Sequence, residues 1–133
     1  MTKRDDILTL ARTIYGEARG ESTIGQMAIA CVVMNRFKSK KWFAGKTIAE
    51  TCTKKWQFSC WNENDPNRAK IENLTKKALG DIYNIASKAV NGKIKDFTCG
   101  STHYHTENVN PLWSRGQTPV LILGHHKFYN NIN

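Results

Sequence analysis

Apolar residues near the start of the chain recur at the spacing of an amphipathic helix. Between Asp5 and Tyr15 they lie three or four positions apart and so share one side of a helix. Asp5 or Asp6 is predicted to cap this helix, because an aspartate oxygen accepts hydrogen bonds from the free N–H groups of the first turn. Gly16 and Gly20 predict that the helix ends in this region.

A second helix is predicted to begin at Ser22 or Thr23 and to continue through Met34. Its apolar residues cover more of its circumference than the single stripe of a surface helix. We therefore expect this helix to run through the centre of the fold.

The pattern then becomes irregular, with aromatic and polar residues in no clear period. Long segments of this kind are commonly functional loops. Within it, residues 47–50 (TIAE) have the form of a capping box and predict one short turn of helix. Pro66 is predicted to begin a longer helix that continues to about Val90, with Gly80 as a kink in its interior.

The C-terminal part of the chain favours extended structure. Residues 102–106 and 119–129 are rich in aromatic and β-branched side chains, which predicts a small sheet or hairpin. A chain of 133 residues has the usual size of one domain. We therefore expect a single domain over residues 1–133 with an α+β fold that is mainly helical.

The chain is strongly basic, with 20 Lys and Arg against 11 Asp and Glu and a net charge of +9. This charge predicts a polyanionic partner such as nucleic acid, an anionic membrane or an acidic wall polymer, although an ordinary soluble basic protein has the same composition. The lysines are scattered and no nucleic-acid recognition motif is apparent, which argues against specific nucleic-acid binding. No export signal is readable, and the longest apolar run is too short to cross a bilayer. The protein is therefore predicted to be made in the cytoplasm.

The four cysteines are too few for a disulfide scaffold. Cys31 lies in an apolar helical stretch and is predicted to be a core residue. Cys52 and Cys60 bracket one loop and can pair in an oxidising compartment, but the sequence leaves that pairing open.

The end of the first helix carries the strongest candidate for chemistry, because Glu17 and Glu21 lie there on either side of an arginine. A carboxyl group at a helix end can be half-buried against the core, which favours the protonated form that a general acid needs. In a continuous helix the two Cβ atoms would lie about 5–6 Å apart. That spacing would suit a shared proton or the carboxylate pair of a retaining glycosidase. Gly16 and Gly20 argue against a continuous helix, so a catalytic Glu17 beside a structural Glu21 is the simpler interpretation.

Two further segments carry side chains suited to binding. Residues 56–62 mix aromatic rings with amide and hydroxyl groups, as sugar sites do, although a hydrophobic plug for a small core would have the same composition. Cys99, His103 and His105 include the side chains that bind zinc, but a fourth ligand is missing. His105 is better interpreted as a hydrogen-bonding residue in a cleft, and the His125-His126 pair as strand or surface positions.

Four stretches of the chain resemble the SleB/CwlJ family of cell-wall hydrolases, which cleave peptidoglycan. They are IYGEARGE at residues 14–21, GQMAIACVVMNR at 25–36, QFSCW at 57–61, and THYH at 102–105 with a closing GHHKFY at 124–129. They follow the order of the family and together span nearly the whole chain.

The resemblance implies a lysozyme-like fold and cleavage of the β-1,4 bond between N-acetylmuramic acid and N-acetylglucosamine. It identifies Glu17 as the catalytic glutamate and implies no metal and no organic cofactor. Characterised relatives resemble lytic transglycosylases, in which one glutamate acts as acid and then as base while the muramic C6 hydroxyl closes a 1,6-anhydro ring. A hydrolytic muramidase of the same fold is the alternative. The residues expected to bind substrate are Glu21, Gln57, Phe58, Ser59, Tyr104 and His105.

A basic catalytic module without a readable export signal resembles a phage endolysin. Such an enzyme is expected to be a monomer, and it reaches the wall after a partner such as a holin permeabilises the membrane. The net charge of +9 would then draw it to an anionic envelope. A non-catalytic wall-binding module with the same aromatic cleft is the rival hypothesis from another class.

Overall fold

The computed structural model describes residues 2–55 and 57–132 of the protein. In these residues the α-helices are Lys3–Ala18 (α1), Thr23–Ser39 (α2), Ile48–Thr53 (α3), Pro66–Ile71 (α4), Lys76–Leu79 (α5) and Asp81–Val90 (α6). The β-strands are His103–Thr106 (β1), Leu121–Leu123 (β2) and His126–Tyr129 (β3). Short 3₁₀ turns cover Ser59–Trp61 and Leu112–Ser114. The prediction of a mainly helical α+β fold with a small sheet is confirmed.

The cap of α1 differs from the prediction. The hydroxyl of Thr2 accepts a hydrogen bond from the N–H of Asp5 at 3.2 Å, and the Asp5 carboxylate accepts one from the N–H of Thr2 at 3.0 Å. Thr2 is therefore the cap, and Asp5 completes the capping box from inside the first turn. Asp6 accepts a hydrogen bond from the N–H of Ala49 at 2.9 Å, so it stabilises the start of α3 instead.

Local capping signals correctly predicted the starts of α2 and α3. The hydroxyl of Ser22 accepts a hydrogen bond from the N–H of Gly25 at 3.2 Å. The hydroxyl of Thr47 accepts one from the N–H of Glu50 at 3.0 Å. α2 packs against α1, α3 and α6, and most of its residues from Gly25 to Val33 are buried. The predicted central position of this helix is confirmed.

The region after Pro66 forms three short helices, so the prediction of one long helix is wrong. The Arg12 Nε donates a hydrogen bond to the carbonyl of Leu74 at 3.0 Å, and this carbonyl lies between α4 and α5. The hydroxyl of Thr75 then caps α5 as a new helix. Gly80 separates α5 from α6 with φ +57° and ψ −125°, a backbone conformation that glycine adopts without strain. Gly80 therefore marks a break between two helices instead of the predicted kink within one.

The sheet is antiparallel with strand order β1-β3-β2. β2 and β3 form a hairpin whose two-residue turn is Gly124 and His125. Gly124 has φ +57°, as the first residue of such a tight turn often requires. The predicted small sheet is confirmed. None of the described helices is both long and apolar enough to cross a membrane.

The main core joins the long helices to one face of the sheet. Leu10 and Ile14 of α1, Ile29 of α2 and Phe128 of β3 belong to the same cluster, and none is more than 1% exposed. Burial of such side chains is the main favourable contribution to folding. The core therefore joins α1, α2 and β3 in one apolar cluster.

Replacing Ile14 by alanine should destabilise the fold. Ile14 is 0% exposed, so Ile14→Ala leaves a cavity and should lower the free energy of unfolding by about 2–5 kcal/mol. Ile24→Ala is the matched control, because Ile24 is also helical but 51% exposed. Its change should stay within about 0.5 kcal/mol. Urea unfolding followed by circular dichroism measures both values, and equal losses would contradict the assigned core.

Candidate active site

The carboxyl group of Glu17 lies where three parts of the chain meet. Glu17 itself is half-buried in the last turn of α1. The hydroxyl of Tyr104, from β1, donates a hydrogen bond to Oε1 at 2.5 Å. The N–H of Cys60 donates to Oε2 at 3.2 Å, and the hydroxyl of Ser59 donates to Oε2 at 3.4 Å. Both carboxyl oxygens of Glu17 are thus oriented by the surrounding chain.

Gly16 allows the turn Ser59–Trp61 to approach α1 this closely. A Cβ atom at position 16 would lie 2.7 Å from the Cβ and 2.8 Å from the Sγ of Cys60. Both distances are well below van der Waals contact. A glycine at this position is therefore needed for the turn to reach Glu17.

An open cleft of about 680 Å³ runs past Glu17. Residues 16–21, at the end of α1 and just after it, line one side. Residues 106–108 together with His125 and His126 line the other side. The volume lies within the usual range of ligand-binding clefts.

A second cavity, of about 440 Å³, is lined by Lys54, Trp61, Arg68 and their neighbours. Glu17 does not line this cavity, whereas it lines the larger cleft. A candidate catalytic site needs a reactive group as well as space. We therefore assign the candidate site to the cleft beside Glu17.

Glu21 lies beyond the end of α1 and faces two histidines. Its Oε1 is 3.1 Å from Nδ1 of His126, and its Oε2 is 3.5 Å from Nδ1 of His125. Burial alone would raise the pKa of Glu21, but hydrogen bonding from His125 and attraction by His126 outweigh it and lower that pKa. Glu21 is therefore ionised at neutral pH, and its carboxylate has partners different from those of Glu17.

His126 is a site residue to which the sequence analysis gave no role beyond a strand or surface position. Its side chain is 5% exposed. Burial lowers the pKa of His126, although the nearby carboxylates of Glu21 and Glu17 oppose that effect. The contact with Glu21 is therefore one between a neutral imidazole and a carboxylate at 3.1 Å. The sequence contained a signal for the burial of His126, because it lies two residues from Phe128 on a predicted strand, and strand residues two apart share a face.

Arg36 is a second residue whose role the sequence analysis missed. It is 4% exposed, and its Nε donates to the carbonyl of Thr102 at 2.5 Å. Its guanidinium also lies 4.5 Å from the centroid of the Phe58 ring. Burial lowers the pKa of Arg36 to about 10, and the proximity of Tyr104 and Glu17 opposes this shift. The sequence contained a signal for a buried charge, because Arg36 is a charged residue on the apolar face of α2.

The structure separates the residues that were expected to bind substrate. Ser59 and Tyr104 contact Glu17 directly, and Glu21 lines the same cleft. Gln57 accepts a hydrogen bond from Arg36 Nη1 at 3.2 Å. Trp56, in the same predicted sugar-binding segment, lies outside the described residues.

Phe58 and His105 do not lie on the cleft surface. Phe58 is 1% exposed and belongs to the core. Of the two interpretations of residues 56–62, the hydrophobic plug rather than the sugar site therefore applies to this ring. His105 is 9% exposed, and its Nε2 lies 2.8 Å from the hydroxyl of Tyr129. It points to the face of the sheet opposite Tyr104, because adjacent strand residues alternate. Neither side chain has free surface for a ligand in the Glu17 cleft.

The histidines of β1 belong to an aromatic cluster on that opposite face. His103 and His105 both contact Trp113 edge-on, with ring centroids 5.1 and 5.7 Å apart. Burial lowers the pKa of His103 to about 4. Within residues 2–55 and 57–132 no three His, Cys, Asp or Glu side chains are grouped as they would be around a metal ion. Packing accounts for these two histidines.

The structure answers the open question about Cys52 and Cys60, because both are buried free thiols. Cys31 is also buried, as predicted, whereas Cys99 is exposed. Burial raises the pKa of Cys31 to about 11 and that of Cys52 to about 12, and it also raises the pKa of Cys60. The buried thiols are thus kept in the unreactive protonated form.

The fold and the cleft define a mainly helical α+β protein whose candidate site centres on one glutamate. A family model described as Cell Wall Hydrolase matches residues 20–129. The chain belongs to this family, and the resemblance to SleB/CwlJ-type hydrolases is confirmed. Glu17 lies just before the matched range, whereas Glu21 and His126 lie inside it.

The curated relatives are spore cortex-lytic enzymes. That of Halalkalibacterium halodurans is 30% identical over 135 residues, which cover 95% of this chain and 35% of that enzyme. That of Bacillus subtilis is 57% identical over 35 residues, which cover 26% of this chain and 12% of that enzyme. That of Bacillus cereus is 47% identical over 36 residues, which cover 27% of this chain and 14% of that enzyme. The chain thus spans about a third of the length of the relative that it matches throughout. No solved structure matches significantly, so the lysozyme-like fold stays a prediction.

Gly16→Ala should disturb the site by pushing the Ser59–Trp61 turn away from α1. The new Cβ would overlap with Cys60, and overpacking of this kind costs about 1–3 kcal/mol of stability. Gly20→Ala is the control, because a Cβ there has no atom within 4 Å. It should change stability by no more than about 0.5 kcal/mol. Denaturant unfolding compares the two, and a fully stable Gly16→Ala protein would contradict the close approach.

Thiol labelling should distinguish Cys99 from the buried cysteines. A chromogenic disulfide reagent near neutral pH should modify one thiol quickly in the folded protein, since only Cys99 is exposed among the four cysteines. All four should react in denaturant without a reductant. Two unreactive cysteines under those conditions would instead reveal a Cys52–Cys60 disulfide.

Proposed function

We propose that this protein degrades peptidoglycan by cleaving the β-1,4 bond between N-acetylmuramic acid and N-acetylglucosamine. Membership of the cell wall hydrolase family supports the substrate class. The observation that carries the reaction type is the half-buried carboxyl group of Glu17, held from both oxygens at the edge of an open cleft. A positioned carboxyl group of this kind is what a general acid requires. Residues 1–133 are proposed to act as one catalytic domain.

Glu17 donates its proton to the glycosidic oxygen as the bond breaks. Tyr104 stays a neutral phenol because burial raises its pKa well above the usual value, and the nearby Glu17 adds to that effect. A phenol hydroxyl accepts a hydrogen bond from a carboxylic acid and donates one to a carboxylate. Tyr104 is therefore suited to both protonation states of Glu17. The N–H of Cys60 supports the carboxylate that forms.

The reaction is proposed to be that of a lytic transglycosylase. After proton donation, the carboxylate of Glu17 accepts the proton of the muramic C6 hydroxyl, which closes a 1,6-anhydro ring. This scheme uses one carboxyl group as acid and then as base. The orientation of Glu21 toward two histidines supports it, since no second carboxylate is needed at the broken bond.

Substrate binding is assigned to the polar side chains around Glu17. Ser59 and Tyr104 contact the carboxyl group of Glu17 directly and are proposed to contact a sugar bound there, and Glu21 lies further along the cleft. Gln57 is proposed to bind through its amide while Arg36 fixes its orientation. The net charge of +9 favours an anionic bacterial envelope as the working surface.

The biological setting is proposed to be bacterial lysis by a phage-type endolysin. The enzyme would be made in the host cytoplasm, would act as a monomer and would depend on a holin-like partner to reach the wall. The rivals are a hydrolytic muramidase and a non-catalytic wall-binding module. A muramidase releases reducing muramic ends instead of anhydro ends, whereas a binding module pulls down sacculi without releasing soluble fragments.

Glu17→Gln should abolish cleavage while leaving the fold intact. Glutamine has nearly the same shape: its carbonyl oxygen accepts the hydrogen bond from the N–H of Cys60, and its NH₂ group donates to the hydroxyl oxygen of Tyr104. It cannot donate an acidic proton. We expect at least a 100-fold loss in the rate of fragment release from purified sacculi, on the order of the 10²–10⁴ typical of general acid catalysis.

Glu50→Gln is the control for this experiment, because Glu50 is exposed on α3. It should release fragments at the rate of the unchanged protein. Equal activity of the Glu17→Gln variant would refute Glu17 as the acid. Mass spectrometry of the products then separates anhydro from reducing muramic ends.

A further inference from the structure

The proposed reaction leaves the pair formed by Glu21 and His126 without a chemical role. Nδ1 of His126 lies 3.1 Å from Oε1 of Glu21, and the Glu21 side chain is only 17% exposed. A buried histidine beside a partly buried carboxylate is costly to keep unless the two groups are paired and oriented. Both residues line the cleft that contains Glu17. A substrate bound in the cleft beside Glu17 would therefore also lie close to Glu21 and His126.

His126 lies on the same face of the sheet as the phenol that holds Glu17. Its ring packs edge-on against the Tyr104 ring, with centroids 5.2 Å apart. The titratable groups around it are Glu21, Glu17 and His125, besides the Tyr104 hydroxyl. Glu17 and His126 thus flank Tyr104, one from α1 and one from β3.

The second nitrogen of His126, Nε2, forms no hydrogen bond with any residue in the part of the chain that the structure describes. Nδ1 lies against Glu21 instead. No polar side-chain atom of the described residues is buried without a partner, so Nε2 is not a sealed, unsatisfied nitrogen. Because His126 is part of the cleft lining, we place Nε2 toward the water of the cleft.

The carboxylate of Glu21, 3.1 Å from Nδ1, favours the tautomer of His126 with its proton on Nδ1. An ionised carboxylate accepts the proton of Nδ1, which leaves the lone pair of a neutral imidazole on Nε2. A carboxylate–imidazole pair with a free Nε2 is the general base arrangement of many hydrolases. Such a base acts on any hydroxyl or water molecule within hydrogen-bond reach.

We propose that Glu21 and His126 act as a general base that activates water, giving this site a hydrolytic branch beside ring closure. The inference rests on the proposed function, because it needs Glu17 to protonate the leaving oxygen. The bond from muramic C1 to the leaving oxygen breaks, and a bond from C1 to the water oxygen forms. One water proton passes to Nε2 of His126, and the other stays on the new C1 hydroxyl. His126 then releases its proton to solvent, and Glu17 regains one.

The test measures both products separately. Wild-type protein is incubated with purified sacculi, and borodeuteride then tags reducing muramic ends but not anhydro ends. Mass spectrometry gives the rate at which each kind of end forms, after subtraction of a control without enzyme. Wild-type protein should form tagged muramic ends well above that background.

His126→Gln should remove the hydrolytic branch. The rate of forming reducing ends should fall by about 100-fold relative to the rate of forming anhydro ends, because a general base contributes at least about that factor. Glu21→Gln should lower the same ratio. Lys127→Gln is the matched control, because Lys127 lies next to His126 on β3 and points to the other face of the sheet. It should keep both rates. Circular dichroism and thermal unfolding check that each variant is folded. If His126→Gln does not fold, the result of Glu21→Gln decides the test.

Three results would overturn the inference. Wild-type protein could form no reducing muramic ends above background, or folded variants could form them at the wild-type rate. Folded variants could also lose both products together, which would assign the pair to bond cleavage in general. Failure of the proposed function is distinguishable, because wild-type protein would then release no fragments of either kind.

Discussion

The hydrogen bonds to the carboxyl group of Glu17 hold the functional end of this protein together. They join α1 to the sheet through Tyr104 and to the loop region through Cys60. Gly16 makes the second contact possible, because any side chain there would overlap with Cys60. The cleft exists where these three elements meet. The geometry of the cleft thus depends on a packing constraint one residue away from the proposed acid, Glu17.

A buried cation lies behind this carboxyl group. Arg36 is removed from solvent, and within residues 2–55 and 57–132 no carboxylate lies within 4 Å of its guanidinium. Burying a charge in this way is costly unless hydrogen bonds and polarisable groups replace water. The carbonyl of Thr102, the amide of Gln57 and the ring of Phe58 provide that replacement. The core at this end of the molecule is therefore organised by charge as well as by apolar contact, and the positive field of Arg36 extends to Glu17.

The sheet divides its aromatic and histidine side chains between two environments. Tyr104, His126 and Phe128 pack together on the face toward Glu17, whereas His103 and His105 pack with Trp113 on the other face. A single-residue alternation thus separates residues of the cleft from residues of an aromatic cluster. The same division explains the contact between Glu21 and the buried His126. The side chain of His126 lies on the face of β3 toward the end of α1, where Glu21 follows the helix.

The sequence by itself determined the features that depend on neighbours in the chain. Helical periodicity and the hydroxyls of Ser22 and Thr47 correctly located α1, α2 and α3, and Gly80 marked a real break. The position of Glu17 at the end of α1 also followed from the local pattern, whereas its catalytic role stays a proposal. Only the tertiary structure decided that Phe58 belongs to the core and that His105 points away from the cleft. It also decided that the predicted long helix is interrupted near Leu74, whose carbonyl accepts a hydrogen bond from Arg12. The physical reason is that these outcomes depend on contacts between distant parts of the chain, such as that of Glu17 with Tyr104, which no local pattern of residues specifies.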